Sequence, residues 1–291
     1  MMPSQLFQEA PYRGRRAVLA TMHGKEQAIG PPMRRLLGLE LVGAPELDTD
    51  RFGTFAGDVP RNGSMLEVAV RKAREGMRLS QARLGLASEG TYGPHPDIPF
   101  MTVGREIIVL VDDDAGLTVQ EHLITHDVTC TLRFVEPGSD WMSFLDEIGF
   151  PAQGVLVRSH QASRNAYLRK DLRDAAEVAA AVAQAARLSQ DGRARIETDM
   201  RAHRNPSRMA VLATLAEKLA HRIAAPCPAC RAPGFGVIET HKGLPCSECG
   251  TPTASIRLHV HGCLLCEFRD ERGRPDGRLT EEPYFCSWCN P

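Results

Sequence analysis

The sequence is poor in aromatic residues, almost without net charge, and free of long apolar runs. Phe, Trp and Tyr make up 5% of the 291 residues, too few for a broad base-stacking platform of the kind that grips single strands. Lys and Arg number 35 against 36 Asp and Glu, a net charge of −1. That balance argues against general affinity for nucleic acid or membranes and leaves room only for local basic patches. The Ala-rich stretch "AAEVAAAVAQAA" is too short for a membrane span and carries Glu177 and Gln184. The opening residues, "MMPSQLFQEAPYRGRR", lack the continuous apolar core of a signal peptide. These absences predict a cytoplasmic globular protein without membrane contact. Cysteine is also scarce at first: Cys130 is alone before residue 227 and is expected to be buried.

The remaining eight cysteines form four Cys-x-x-Cys pairs, Cys227/Cys230, Cys246/Cys249, Cys263/Cys266 and Cys286/Cys289. In a reducing compartment such pairs read as thiolate metal ligands, each pair a tight knuckle and two knuckles a tetrahedral site. Two structural zinc ions are expected, because tetrahedral thiolate sites without a redox partner usually hold zinc. Sequential pairing, the first pair with the second and the third with the fourth, is the first choice. Nesting is the rival, with Cys246/Cys249 and Cys263/Cys266 inside and the outer pairs together. "SIRLHVHG" reads as a ribbon strand under either scheme, and His241, His259 and His261 are spare ligands. A module this short with few large apolar groups needs metal to fold. The cysteines therefore call for no function beyond structure, although such a tail can also bind a protein or RNA partner.

Before residue 225 strand and helix patterns alternate. Strands are predicted at 17–21, 39–42, 84–87, 106–111, 128–135, 154–158 and 194–198, and helices at 64–79, 140–148, 171–188 and 205–223. Ser64-x-x-Glu67 is a capping-box pattern, and Asn205-Pro206 places a capping side chain before a proline whose missing N–H costs nothing there. "PHPDIPF" reads as a rigid loop, Ser189–Ala194 as a turn, and Asp112–Asp114 as a turn between strands. The pattern predicts an α/β fold, a mixed sheet flanked by helices over residues 14–224, with a small double zinc-ribbon-like module over 225–291.

Three further stretches join the first strand. Thr21, Met22, His23, Gly24 and Lys25 follow it as a glycine turn that can present N–H groups to an anion, although Pro31-Pro32 predicts an early end to any helix there. "LGLASEGTYG" ends an apolar strand in Ser88, Glu89 and Gly90. "ETDMRAHRNPSRM" clusters Asp199, Arg201, His203, Arg204 and Arg208, whose arginines can also simply pair with Asp199 and Glu197.

Together these stretches resemble the inosine-triphosphate pyrophosphatase superfamily. "VLATMHGKE" is similar to its opening Leu-Ala-Thr-x-Asn-x-x-Lys, with His23 at the asparagine and Lys25 one step early. Glu67–Ala73 is similar to Glu-Asn-Ala-x-x-Lys-Ala, with Val68 at the asparagine. "LASEGTYG" and His203-Arg204 are further likenesses. The resemblance covers residues 16–112 and 194–222; the cysteine tail is not part of it. The whole chain also looks like an uncharacterised bacterial domain family with such a tail, a likeness that implies no activity.

The superfamily resemblance implies Mg²⁺-dependent attack of water on a nucleotide phosphate. Thr21, His23, Lys25 and Lys72 would hold phosphate, Glu67 would bind Mg²⁺, and Glu89 would bind metal or orient water. His203, Arg204 and Arg208 would contact phosphate or base. Glu67 is equally explained by its capping box, and it lies five residues from Lys72, outside the i,i+4 spacing. The alternative is a non-catalytic regulatory or scaffold protein that uses the tail for a partner; the replaced asparagines favour it. RNA binding through "RAHRNPSR" and the tail is a third reading.

Overall fold

The computed structural model describes residues 10–53, 59–95, 100–161 and 167–291. Among these residues are five α-helices and twelve strands, and the strands form three sheets. The first sheet is mixed, ordered β2-β1-β3-β4-β5. Its strands are β1 (Arg16–Ala20), β2 (Glu40–Gly43), β3 (Leu84–Pro94), β4 (Thr102–Asp112) and β5 (Leu117–Thr125). β1 runs parallel to β2 and β3, while β3, β4 and β5 form an antiparallel meander.

Helices cover both faces of this sheet. α2 (Met65–Leu79) packs Ala69, Ala73 and Met77 against Val18, Ala87 and Val109 on one face. α1 (Glu26–Leu37) and α5 (Pro206–Ala224) cover the other, burying Ile29, Met33, Leu37, Leu212, Leu215 and Leu219 against Leu19, Leu86, Ile108 and Leu110. Central strands buried on both faces explain their unbroken apolar runs.

The second sheet, ordered β6-β9-β7-β8, is antiparallel and smaller. It comprises β6 (Leu132–Val135), β7 (Val155–Ser159), β8 (Leu168–Arg169) and β9 (Ala194–Thr198). Val135, Val155, Val157, Ala194 and Ile196 pack on α3 (Met142–Ile148) and α4 (Ala175–Arg187) through Phe144, Leu145, Val178 and Val182. The alternate residues of these strands stand on the opposite face. The α/β fold with its mixed sheet is therefore as expected, but the strands beyond residue 130 form a sheet of their own.

Three local expectations are corrected. α1 exists despite Pro31 and Pro32, which both lie inside it. Each proline forgoes one backbone hydrogen bond, and Ile29, Met33 and Leu37, all fully buried, hold the helix in place. β5 carries polar residues along much of its length and was not anticipated. Cys130 is half-buried, not buried. Most of "PHPDIPF" lies outside the described residues. Among the described residues no helix is long and apolar enough to cross a membrane.

The third sheet lies in the cysteine-rich tail: β10 (Gly236–Lys242), β11 (Ile256–Gly262) and β12 (Arg269–Gly273), antiparallel in that order. Arg222 of α5 ties this tail to the first sheet, donating to the Gly234 and Gln120 carbonyls and pairing with Glu121 at 3.1 Å.

Candidate functional site

The tail strands decide how the cysteines meet. β10 carries the chain from the first pair to the second. β11 returns antiparallel, with Gly236 opposite Gly262, so the third pair arrives beside the first. β12 goes out again, and Glu281 bridges to Cys246, so the fourth pair arrives beside the second. The clusters are Cys227, Cys230, Cys263 and Cys266, and Cys246, Cys249, Cys286 and Cys289. Both the sequential and the nested pairings are thus corrected: the pairs interleave. A ribbon would close each site with neighbouring knuckles, whereas here every strand runs from one site to the other.

The sulfur spacing fits a tetrahedral ion. Cys227–Cys266 and Cys230–Cys263 are 3.7 and 3.6 Å apart, and Cys246–Cys289 and Cys249–Cys286 are 3.9 and 3.6 Å apart. Zinc–sulfur bonds of about 2.3 Å at tetrahedral angles place sulfurs about 3.8 Å apart. A disulfide would need about 2.05 Å. The Cys263 sulfur also accepts N–H groups from Leu265 and Cys266, as a knuckle should. Each cluster can therefore hold one zinc ion, with four thiolates and no open position. His241, His259 and His261 belong to neither cluster.

A second candidate site lies in a cleft between the first two sheets. β1 ends at Ala20, while its parallel neighbour β3 continues through Ser88 and Glu89. The chain turns from β1 into α1 through Gly24, whose φ of +66° suits glycine. The turn sits at the carboxyl end of a parallel strand, where open α/β sheets place ligands. The N–H groups of Gly24, Lys25 and Glu26 have no hydrogen-bond partner among the described residues. Lys25, the N-cap of α1, is buried and donates to the Ser88 hydroxyl at 2.9 Å, and among the described residues it forms no ion pair. Burial, and next the nearby Arg208, lower its pKa to about 7.

The other charges in the cleft are matched. Glu89, on β3, accepts Lys72 of α2 at 2.6 Å and Arg61 at 3.1 Å. Arg208, in the first turn of α5, is fully buried and meets Glu106 of β4 at 2.6 Å. Tyr92 also donates to Glu106. Gly90 faces Glu106 across the strand pair, and a Cβ there would lie 2.6 Å from its carboxylate oxygens. The close approach of this carboxylate to the neighbouring strand therefore requires glycine. Arg201 is held by Asp199 and Asp171 at 2.6 and 2.7 Å. Around these groups lies a cavity of about 30 Å³, lined by His23, Lys25, Lys72, Glu89, Arg201 and Arg208 among others.

The sequence candidates thus divide. His23, Lys25, Lys72, Glu89 and Arg208 line one cavity. His23 is neutral, its pKa lowered to about 4 by burial and then by Lys25; it stacks on His203 at 5.1 Å and meets Asp50 at 3.4 Å. Thr21, His203, Arg204 and Glu67 do not line the cavity. Thr21 accepts the His23 N–H, and Arg204 donates to the Leu172 carbonyl. Glu67 is exposed and closes the Ser64 capping box, accepting the Ser64 N–H at 2.8 Å. Arg61 and Glu106 were not among the candidates. Glu106 alone had a sequence signal, a carboxylate at the start of the apolar run of β4.

Residues that a hard cation would need are not assembled. Among the described residues only the two cysteine clusters bring three or more His, Cys, Asp or Glu ligand atoms together. Glu89 and Glu106 are each held by cations of the chain itself. Among its described residues the cleft therefore presents no ready-made cluster of carboxylates for Mg²⁺.

Residues 72–291 match one family model, across more than half of the chain. The chain belongs to DUF6671, a domain family of unknown function. The DUF6671 match spans β3 to β9, α5 and the whole tail, so both cysteine clusters and most of the cleft lie within it. It begins at Lys72 and leaves out β1 and the Lys25 turn. No curated protein matches the chain.

Proposed function

We propose that the chain binds a phosphate-bearing small molecule in the cleft, while a zinc-stabilised tail serves as a structural unit. One observation carries this reading: among the described residues the buried ammonium of Lys25 has a hydroxyl as its hydrogen-bond partner, beside three N–H groups at the start of α1 that have none there. An uncompensated buried cation is costly, and an anion seated there would offset it. Lys72, Arg201 and Arg208 extend the cationic lining. Residues 14–224 would supply this site, and residues 225–291 the metal-held unit.

Nucleoside triphosphate hydrolysis, implied by the superfamily resemblance, asks more of the cleft. It needs Glu89 released from Lys72 and Arg61 to meet a metal or a water. Binding without turnover is therefore the reading favoured by the paired carboxylates. The balance of the tail counts against RNA: residues 225–291 contain seven Lys or Arg and eight Asp or Glu. Each loaded four-thiolate zinc site adds a charge of about −2.

The test is calorimetric titration of the zinc-loaded full chain with inorganic phosphate, pyrophosphate and nucleoside triphosphates. Saturable binding that Lys25→Met weakens by tenfold or more is expected. If no phosphate compound binds, the reading is wrong. Phosphate release with Mg²⁺, abolished by Glu89→Gln, would restore the hydrolase.

A further inference from the structure

The cavity around Lys25 is small, and its wall carries acids as well as bases. About 30 Å³ holds a small ion in place of one or two waters, and not the body of a nucleotide. Asp50, Glu89 and Asp199 all line it. Glu89 is matched by Lys72 and Arg61, and Asp199 by Arg201. Asp50 has no such match: among the described residues no lysine or arginine pairs with it. Its Oδ1 meets His23 at 3.4 Å, and its Oδ2 has no hydrogen-bond partner there. Burial, and next the Lys25 charge, keep the His23 ring neutral, so the ring does not offset the carboxylate.

Asp50 is held beside the anion turn. It opens the short helical turn Asp50–Phe52, and its N–H donates to the Asp48 carboxylate at 2.9 Å. The N–H of the preceding Thr49 reaches the Met22 sulfur at 3.0 Å. Met22 and His23 belong to the same turn as Gly24 and Lys25. The two segments are thus pinned at two points and line one cavity.

An ionised carboxylate can only accept hydrogen bonds. In an anion site it therefore sorts oxyanions by their protons. Inorganic phosphate keeps at least one proton at neutral pH, whereas sulfate, of the same shape, keeps none. A phosphate monoester, with its last pKa at about 6, has mostly shed its proton at about pH 7.5.

Resting on the phosphate reading above, we infer that the ligand of this cavity is inorganic phosphate in its hydrogen phosphate form, and that Asp50 selects it. Lys25 and the N–H groups at the start of α1 hold its charged oxygens. Its P–OH donates to Oδ2 of Asp50. Sulfate has no proton to give and meets the carboxylate as a like charge.

The test is calorimetric titration of the zinc-loaded full chain with inorganic phosphate and with sulfate, at one near-neutral pH and one ionic strength. Phosphate should bind at least about tenfold more tightly, the ratio that one hydrogen bond to a charged group confers. Asp50→Asn keeps the shape, removes the charge and offers N–H donors. It should bring the two affinities to within about threefold, chiefly by strengthening sulfate. Asp50→Ala should do the same if the first variant is poorly folded. Equal binding of both anions by the wild type, still dependent on Lys25, would overturn the role of Asp50 and leave the phosphate site standing. A preference for phosphate that survives both substitutions would also overturn it. So would binding of nucleoside triphosphates without binding of inorganic phosphate. Failure of phosphate, pyrophosphate and nucleoside triphosphates alike would remove the phosphate reading itself.

Discussion

The described chain up to Ala224 and the cysteine-rich tail solve the same problem with different materials. The first part buries three apolar clusters, and none of them contains a residue beyond Ala224. In the tail the buried apolar side chains are Phe235, Leu244 and Val260, together with Cys227, Cys246 and Cys286. Its larger apolar groups, Leu279, Tyr284, Phe285 and Trp288, are exposed. A sheet with so little apolar cover should depend on metal at its two cysteine clusters, whereas the body should stand without it.

The comparison breaks most visibly when metal is removed. Chelation should strip protection from hydrogen exchange throughout β10, β11 and β12, while the body keeps one cooperative unfolding transition. Simultaneous collapse of both parts would show that the division is false. The interleaved pairing gives a sharper version, read as zinc per chain by elemental analysis. Cys227→Ser with Cys263→Ser removes ligands from one site and should leave one zinc ion bound. Cys227→Ser with Cys246→Ser damages both sites and should leave none. Sequential pairing predicts the reverse for the two double variants.

Within the body the largest single effect should come from the buried pair. Glu106→Gln leaves Arg208 without its charge partner in a dry interior and should cost about 3–5 kcal/mol in urea unfolding. Glu106→Leu combined with Arg208→Met should recover much of that. A Glu106→Gln change below about 1 kcal/mol would mean that the pair is solvated.

Lys25 should act through pH. Its pKa in the folded chain is near 7, below its ordinary 10.5. Between those values the unfolded chain holds a proton that the folded chain has lost, so stability should rise with pH from about 7 to 10.5. The cost of the buried charge is fully present below 7. Lys25→Met should abolish that rise. Phosphate affinity should fall in the same direction, as the free ammonium loses its proton above 7. Stability profiles of the wild type and Lys25→Met that run parallel across this range would refute the assignment.

The smallest effect is expected at Ser64. Ser64→Ala removes a capping side chain and should cost about 1 kcal/mol. Glu67→Gln should leave phosphate affinity unchanged, because Glu67 caps a helix and does not line the cavity.

These residues also show what can be read from sequence. Local features were legible: the Ser64 capping box, the Asn205 cap and the ribbon strand β11 all follow from neighbours within a few positions, whereas Glu89, read as ending its strand, lies in the middle of β3. Features set by long-range pairing were not. Arg208 shows its basic charge in sequence, but its partner Glu106 is 102 residues away. The cysteine spacing fixes four knuckles and is silent on which strand brings which pair home. The break into two sheets was hidden for the same reason, since β6, β7 and β9 look like any other short apolar runs.

Interleaving also sets an order of events during synthesis. The knuckles at Cys227/Cys230 and Cys246/Cys249 leave the ribosome before Cys263 does. They are not partners in the finished fold, yet together they offer four thiolates to any zinc ion that arrives. The seventeen residues from Cys249 to Cys266 take roughly one to three seconds to add. An ion captured in that interval binds the wrong set and must be surrendered when the third knuckle appears. The maturing tail therefore has to exchange ligands around zinc, and scarce free zinc during translation favours the correct assembly.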